Sequence, residues 1–327
     1  MTKIKLSSLL LLISCFVHAQ EGSSVYEFLR FPGSAHVGAL GGTNVSLIEN
    51  DLSLVFQNPS LLGQEMDMNL NLSYTSYIGG IGLGNVAFAK ALGDRSTWGI
   101  GVNYISYGDM KQTGPDQSVL GTFSAKDMAI SGFFSRDLNE KIRGGVSPKI
   151  IYSNFEQYSS MALSVDLGLS YYNKDDDFSL GLALKNVGRQ VTAYHQEIEN
   201  FPWDLQLGLT KRLSHAPIRF SLTAAHLNKW KFYDVEGNKD AFLTSLGKHF
   251  IVGVDFIPSD NLWIALGYNV KTAADMKLQD ANKMGGFSIG AGLKVKSFNV
   301  GCALGNYHPS ASSFMISLTT SLSEIQL

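Results

Sequence analysis

Apolar and small polar residues alternate with a period of two over most of the chain. Between residues 68 and 75, methionine, leucine and tyrosine occupy the even positions, and asparagine, serine and threonine the odd ones. This period places successive side chains on opposite faces of a strand. About fourteen segments of roughly 9–13 residues show it, a length that suits tilted strands crossing a membrane. They lie near residues 68–78, 81–91, 96–107, 123–135, 141–152, 160–172, 178–188, 203–212, 217–227, 249–257, 261–271, 285–296, 298–307 and 312–322.

The connections between these segments differ in length in an ordered way. Tight links follow the even-numbered segments, and every long link follows an odd-numbered one. A barrel with both termini in the periplasm has short periplasmic turns and long surface loops. We therefore predict an all-β fold, a transmembrane antiparallel β-barrel of about 14 strands over residues 68–327, with apolar side chains on lipid. The long links are 108–122, 189–202, 228–248 and 272–284.

Residues 20–67 do not follow the alternation. Glycines interrupt a helix-like stretch at residues 38–42, and Asn58-Pro59 is typical of a turn. A segment of this size in front of such a barrel is suited to fill its lumen, which would otherwise be a water channel. We predict that it forms an N-terminal plug. Within the barrel, Pro148 predicts a bulge or a local break in its strand.

The N-terminus has the features of a secretory signal peptide. Lys3 and Lys5 precede an apolar run over residues 6–17, and Ala19 provides a small residue for cleavage. Residues 1–19 are therefore predicted to be removed on export to the outer membrane. Cys15 allows lipoprotein processing as an alternative. After cleavage at Ala19 only Cys302 remains, so an intrachain disulfide is excluded.

Composition agrees with a membrane barrel and argues against nucleic-acid binding. Charged residues make up 17% of the chain, below the roughly 25% of soluble proteins. Proline is scarce at 8 residues, which suits strands that use every backbone donor. The net charge is −2, without the basic stripe that marks nucleic-acid binding. Nucleic acid is not an expected partner.

Motifs with catalytic potential lack their required surroundings. Residues 286–290 spell Gly-Phe-Ser-Ile-Gly, but this nucleophile pattern lies inside an alternating strand, and His308 is the one histidine that follows. The histidines show no paired metal-ligand spacing. We therefore expect no enzyme activity, no catalytic residue, no cofactor and no metal site.

Several charged residues fall on the polar, inward-facing side of the predicted strands. They could form a path for a substrate. They could equally pair with one another or with the N-terminal segment, since a polar lumen needs such groups in any case. These residues are Arg143, Lys149, Asp166, Lys185, Arg219 and Lys294.

The long link 228–248 is the best candidate for binding a partner. Trp230, Phe232 and Tyr233 lie close together in it, and aromatic residues dominate the energetics of protein interfaces. The alternative is that the same rings belong to the aromatic girdle at the outer membrane surface.

The N-terminal region resembles a known family. The runs at residues 25–32, 34–35, 38–42, 50–54 and 56–61, which include Glu27-Phe28-Leu29-Arg30-Phe31-Pro32 and Phe56-Gln57-Asn58-Pro59-Ser60-Leu61, resemble the signature of the PorQ family. Its members are outer-membrane barrels of the type IX secretion system. Residues 184–188, Leu-Lys-Asn-Val-Gly, are similar to a strand end in PorQ, PorV and related barrels of the long-chain fatty-acid transporter type.

The resemblance implies a fourteen-stranded barrel with a lumen plug that belongs to the surface attachment complex. Its partners would be a surface PorZ-like protein, a sortase and a PorV-like barrel, together with outer-membrane lipid and the lipopolysaccharide that receives secreted cargo. The barrel itself would be a non-enzymatic anchor or docking subunit. The alternative is a transporter of hydrophobic molecules such as fatty acids. An apolar cavity reaching the wall would favour transport, and a filled lumen would favour anchoring.

Overall fold

Fourteen antiparallel strands close into one barrel, as predicted. Each strand pairs with its neighbours in sequence, and β1 pairs with β14 to complete the circle. The computed structural model describes residues 24–324 apart from 114, 117, 196, 234–236, 277–283 and 309–310, so the predicted signal peptide, residues 1–19, lies outside the described residues. The strands are β1 Asn69–Ser76, β2 Gly82–Leu92, β3 Ser96–Thr113, β4 Val119–Asp137, β5 Ile142–Phe155, β6 Tyr158–Asn173, β7 Phe178–Thr192, β8 Asp204–Arg212, β9 Ile218–Ala224, β10 Phe250–Ser259, β11 Leu262–Asn269, β12 Phe287–Val295, β13 Phe298–His308 and β14 Ala311–Ser321.

The two faces of the wall differ as the alternation predicts. Leu167 and Leu222 are 47% and 41% exposed, whereas Ser164 and Ser221 are 8% and 5% exposed. The apolar side chains therefore point outward, where lipid covers them in a membrane barrel, and the small polar side chains point into the lumen. The predicted facing is confirmed on these strands.

We call the end where β1 begins and β14 finishes the proximal end, and the opposite end the distal end. Proximal turns are short, for example residues 174–177, while longer connections at residues 193–203, 225–249 and 270–286 lie at the distal end. The predicted loop 108–122 is wrong, because β3 and β4 continue as a paired hairpin as far as Thr113 and Val119. Hydrophobic alternation fades there while the hydrogen-bonded ladder continues.

The described helices are short. They are α1 Ala35–Ala39, α2 Phe242–Gly247 and α3 Val270–Asp275, with 3-10 turns at Glu27–Arg30, Leu52–Phe56, Pro59–Leu61, Gln64–Met66 and Ile78–Gly80. Within the described part of the chain, no helix has the length and apolar character needed to span a membrane.

Pro148 produces the predicted local break but no bulge. Pairing between β4 and β5 stops after Ser131–Lys149 and resumes at Phe134–Val146 in the same register. Proline has no N–H to donate, so the ladder loses bonds there without an extra residue.

Residues 24–68, which we call the lumen segment, lie inside the barrel. Helix α1 contacts the wall from β11 to β14, while the turn Pro59–Leu61 contacts the opposite wall at β4 to β6. The segment starts at the distal end, where the backbone N–H of Val25 donates to the carbonyl of Asn200 at 3.0 Å. It finishes at the proximal end, where β1 begins.

Candidate functional site

A repeated turn shapes the middle of the lumen segment. The pattern Asx-x-Ser-Leu begins at Asn44, Asp51 and Asn58, so that successive copies start seven positions apart. In each copy the Asx side chain accepts the backbone N–H two residues later at 3.0 Å. The three leucines are buried in one hydrophobic cluster. This seven-residue spacing is visible in the sequence, but a search for strand and helix periods overlooks it.

Glycines in the wall let the backbone of the lumen segment approach closely. A Cβ at Gly181 would lie 1.9 Å from the carbonyl oxygen of Val45, and one at Gly267 would lie 2.2 Å from the amide nitrogen of Gly41. Real Cβ atoms do not come this close, so larger residues at these two wall positions would displace the segment. At these two positions the backbone of the lumen segment therefore lies directly against the wall.

Four charged side chains, three buried and one 24% exposed at Glu49, form a group that we call the lumen ion cluster. The Nε2 atom of His36 lies 2.8 Å from Asp255, and its Nδ1 atom lies 3.0 Å from Glu49. Arg219 bridges the same two carboxylates at 2.8 Å and 2.5 Å. The ring of Trp263 stacks on that of His36 with 3.9 Å between centroids. The cluster fastens the segment to β9 and β10.

The cluster keeps its members charged near neutral pH. Burial opposes the charge on His36, but the carboxylates of Glu49 and Asp255 outweigh burial and raise the pKa of His36 to about 10. Burial likewise opposes charge on Glu49, while Arg219 and His36 hold the pKa of that carboxyl below its usual range. Two cations and two anions then compensate one another, so the cluster offers no unpaired charge to a substrate.

A second polar cluster sits where β7 contains a bulge. The register between β6 and β7 shifts after Val165, and Asn186 adopts a φ of 54°. Lys149 lies 2.6 Å from Asp166 and donates to the side chain of Asn186 at 2.9 Å. The neighbouring Lys185 also turns inward and donates to the carbonyl of Phe56 at 2.9 Å.

The predicted inward charges therefore pair rather than line a path. Arg143 pairs with Asp137 at 2.6 Å at the proximal end, and Lys149, Asp166 and Arg219 form the ion pairs described above. Lys294 differs, because it is exposed. Sequence alone left both interpretations open, and the contacts favour pairing.

The distal part of the lumen has a different chemistry. A cavity of about 490 Å³, which we call the distal pocket, lies between the start of the lumen segment and the distal ends of β3 to β6. Its volume and its mainly apolar and aromatic lining are typical of sites for small molecules. The lining residues are Val25, Tyr26, Tyr107, Met110, Ala125, Asp127, Ser153, Asn154, Phe155, Tyr158, Tyr194, His195 and Glu199.

The polar groups of the distal pocket are arranged around Asp127. The hydroxyl of Tyr107 donates to this carboxylate at 2.8 Å, and Ser153 donates to its other oxygen. Tyr194 donates in turn to Ser153. These residues come from distant parts of the chain, and sequence analysis did not select them. The sequence feature that could have indicated this pocket is the presence of tyrosines near the distal ends of the strands.

The predicted partner-binding residues occupy different environments. Trp230 is 52% exposed and Tyr233 is 42% exposed, whereas Phe232 is 5% exposed. Phe232 packs edge-on against His249 at 5.1 Å, so only the other two rings present a large surface. Binding of a partner by these residues stays a prediction.

The nucleophile-like motif has a structural role in the wall. Ser288 faces the lumen from β12, and its hydroxyl donates to the carbonyl of Ala39 at 2.8 Å. Among the described residues, no three histidine, cysteine or acidic side chains converge to hold a metal ion.

Several solved structures share this architecture. The toluene transporter TbuX of Ralstonia pickettii has a TM-score of 0.57 at 10% identity, covering 91% of this chain and 100% of its own. The fold is that of FadL-type outer-membrane barrels. The toluene transporter TodX of Pseudomonas putida (TM-score 0.55, 13% identity, 90% and 99% covered) and a FadL homologue of Pseudomonas aeruginosa (0.51, 13%, 88% and 98%) agree. No family model and no curated protein matches the chain.

At these identities the likeness describes the fold alone, and two of the three structures are toluene transporters. The type IX secretion interpretation has no counterpart among these three structures. It therefore rests on the residues of the N-terminal resemblance alone.

Proposed function

We propose that the protein is a non-enzymatic outer-membrane barrel that binds a hydrophobic molecule at its distal pocket, as a first step of transport. The observation that carries this proposal is the pocket itself, with its volume of about 490 Å³ and its ring-rich lining. The FadL-type fold supports it, since the matched toluene transporters act on a hydrophobic molecule. Export by the signal peptide, residues 1–19, belongs to the same proposal.

The lumen segment acts in this proposal as a plug below the pocket. Its backbone touches the wall at Gly181 and Gly267, and the lumen ion cluster closes the middle of the barrel. A molecule bound at the distal pocket therefore meets a filled lumen beneath it. Passage further inward requires the plug to shift, whereas binding requires no movement.

A filling substitution tests this function. Ala125 lines the pocket and is 3% exposed, so Ala125→Trp would occupy the space without touching the lumen ion cluster. Uptake of radiolabelled toluene by cells that produce the barrel should fall to background with this variant. The control is Cys302→Trp, because Cys302 is exposed on the outer face and its variant should transport normally. Equal uptake by both variants would contradict the proposal.

A second candidate is a subunit of the type IX secretion attachment complex, the function implied by the PorQ resemblance. The position of the residues that carry this resemblance supports it, because they form the segment inside the barrel. Asn58 of that signature caps one of the repeated turns and donates to the carbonyl of Val45 at 2.8 Å. A filled lumen suits an anchor, and the exposed rings of Trp230 and Tyr233 would dock the surface partner.

Affinity purification in mild detergent tests the second candidate. A PorZ-like protein, a sortase or a PorV-like barrel should co-purify, and the double substitution Trp230→Ala with Tyr233→Ala should weaken the association about thirtyfold, at roughly 2 kcal/mol for one effective aromatic anchor. Leu120→Ala is the matched control, since Leu120 is 66% exposed on another distal hairpin. If no secretion protein co-purifies with the unaltered barrel, this candidate is wrong.

A further inference from the structure

The distal pocket is acidic as well as aromatic. Asp127 and Glu199 both line it, and no lysine or arginine does so among the described residues. Asp127 is only 8% exposed, and its hydrogen bonds come from the neutral hydroxyls of Tyr107 and Ser153. Within the described part of the chain, neither carboxylate lies in an ion pair. Asp127 therefore has no cationic partner among the described residues.

Several aromatic rings line the same pocket as Asp127. Tyr26 lies 6.5 Å from Tyr194 between ring centroids, and Tyr158 lies 4.6 Å from the imidazole of His195. Phe155 contributes a further face to the lining. The face of an aromatic ring carries negative electrostatic potential and attracts cations within roughly 6 Å of the centroid. Aromatic rings and carboxylates in one cavity therefore both favour a positively charged ligand.

The pKa of the Tyr194 phenol reflects this environment. Burial is the main cause that raises the pKa of its phenol, to about 12, and the carboxylates of Asp127 and Glu199 raise it further while Ser153 opposes the shift. The phenol therefore stays neutral at physiological pH and adds no negative charge of its own. Its ring contributes to the aromatic lining of the pocket, while its hydroxyl donates to Ser153.

We propose that the distal pocket selects a hydrophobic molecule that bears a cationic ammonium group, such as a protonated benzylamine or a quaternary ammonium compound. The inference rests on the proposed binding of hydrophobic molecules at this pocket and specifies their chemical class. The cation lies against the tyrosine faces and opposite Asp127, while the apolar part contacts Met110 and Phe155. A carboxylate of the same size finds no cationic partner among the described lining residues and is repelled by Asp127.

Three probes of similar size separate charge from hydrophobicity. We would titrate benzyltrimethylammonium, benzyl alcohol and phenylacetate into the full-length mature barrel in lipid nanodiscs and measure Kd by calorimetry. The cation should bind about tenfold more tightly than the neutral alcohol, as expected for a partly desolvated cation–π site. Phenylacetate should bind most weakly.

Substitutions test which acidic residues cause the preference for the cationic probe. Asp127→Asn keeps the shape and an acceptor for Tyr107, and it should reduce the affinity for the cation to that for benzyl alcohol without weakening the alcohol. Asp109→Asn is the matched control, because Asp109 is an exposed acid on the same distal hairpin outside the pocket. Glu199→Gln, in a connection rather than a strand, provides a second test should Asp127→Asn fail to fold.

The outcomes distinguish the inferred preference for a cation from the proposed binding of hydrophobic molecules at the distal pocket. Binding of benzyl alcohol without a preference for the cation would overturn the inference and leave the proposed function standing. So would a preference that survives both Asp127→Asn and Glu199→Gln. Failure of all three probes to bind would overturn the inference and the proposed function together.

Discussion

The lumen segment meets the barrel wall through two kinds of chemistry. Between residues 34 and 66 it is held by capped turns, by backbone contact with wall glycines and by the lumen ion cluster. Between residues 24 and 31 it packs mainly through apolar and aromatic side chains, among them Tyr26 and Phe28. The same short chain is thus fixed by directional bonds in the middle of the barrel and by less directional packing at the distal end.

This difference indicates which part of the segment has a structural task. Buried charges and close backbone contacts tolerate little displacement, because each broken bond leaves an unpaired group away from water. Apolar packing next to a cavity allows side chains to rearrange around a ligand. The middle of the lumen therefore sets stability, and the distal pocket is suited to binding.

The largest effect is expected from Arg219→Met. Arg219 is 7% exposed, and its loss leaves the partly buried Glu49 and the buried Asp255 with His36 as their single cationic partner among the described residues. Breaking a buried ion pair on one side costs about 3–5 kcal/mol. The free energy of unfolding in urea, followed by the heat-dependent gel mobility of the barrel, measures this cost. Lys294→Met is the control, since Lys294 is exposed, and an equal loss there would contradict the structural role of the cluster.

A smaller effect is expected from Gly181→Val. The new Cβ would overlap the carbonyl of Val45, which lies 1.9 Å from its position. Overpacking typically costs about 1–3 kcal/mol, and here the strain should loosen the segment as well as the fold. Protease sensitivity of residues 43–66 in the folded barrel should rise. Gly84→Val offers the comparison, because nothing lies within 4 Å of a Cβ there.

The stability supplied by His36 should depend on pH. Its pKa is about 10 in the folded protein, against roughly 6.5 for an unfolded chain. A group whose pKa rises on folding stabilises fully below its unfolded pKa, so this contribution should be lost as the pH increases from 6.5 to 10. The difference in urea midpoint between the unaltered protein and His36→Gln should shrink across that window. A difference that grows with pH would refute the charged state of His36.

The smallest effect is expected at the distal end, from Tyr26→Phe. The lost hydroxyl bonds to Ser160 and accepts from Gln190, but Gln190 also donates to Ser160 at 3.1 Å. Because these partners still satisfy one another, we expect a cost of about 1 kcal/mol or less. Urea unfolding checks this. A loss as large as that of Arg219→Met would mean that the two regions do not differ as described.

The sequence was sufficient to predict the barrel wall, because the alternation within each strand shows which side chains point outward and which point into the lumen. Leu167 and Ser164 differ in exposure as the period of two requires, and strand pairing follows chain order. The hairpin at residues 108–122 was missed because polar residues on both faces hide a strand that leaves the apolar band. The direction of a side chain can be predicted only where apolar and polar residues alternate, and this alternation ends where the strands leave the apolar band.

The lumen contacts were beyond sequence analysis for a different reason. His36 and Asp255 are 219 positions apart, and their meeting depends on the path of a segment without a regular period. Asp127, Ser153 and Tyr194 likewise meet only after three separate parts of the chain reach the distal end. The repeated turns at Asn44, Asp51 and Asn58 are the exception, because their spacing is readable in advance.

Fluorescence quenching by a brominated probe tests most directly that a hydrophobic molecule occupies the distal pocket and not the middle of the lumen. Phe155→Trp places a reporter in the pocket, and Trp263 reports from beside the lumen ion cluster. Each would be the single tryptophan of its variant, with the others replaced by phenylalanine. We predict saturable quenching by 4-bromobenzyl alcohol at position 155 and none at Trp263. Quenching at Trp263, or at neither position, would contradict this account.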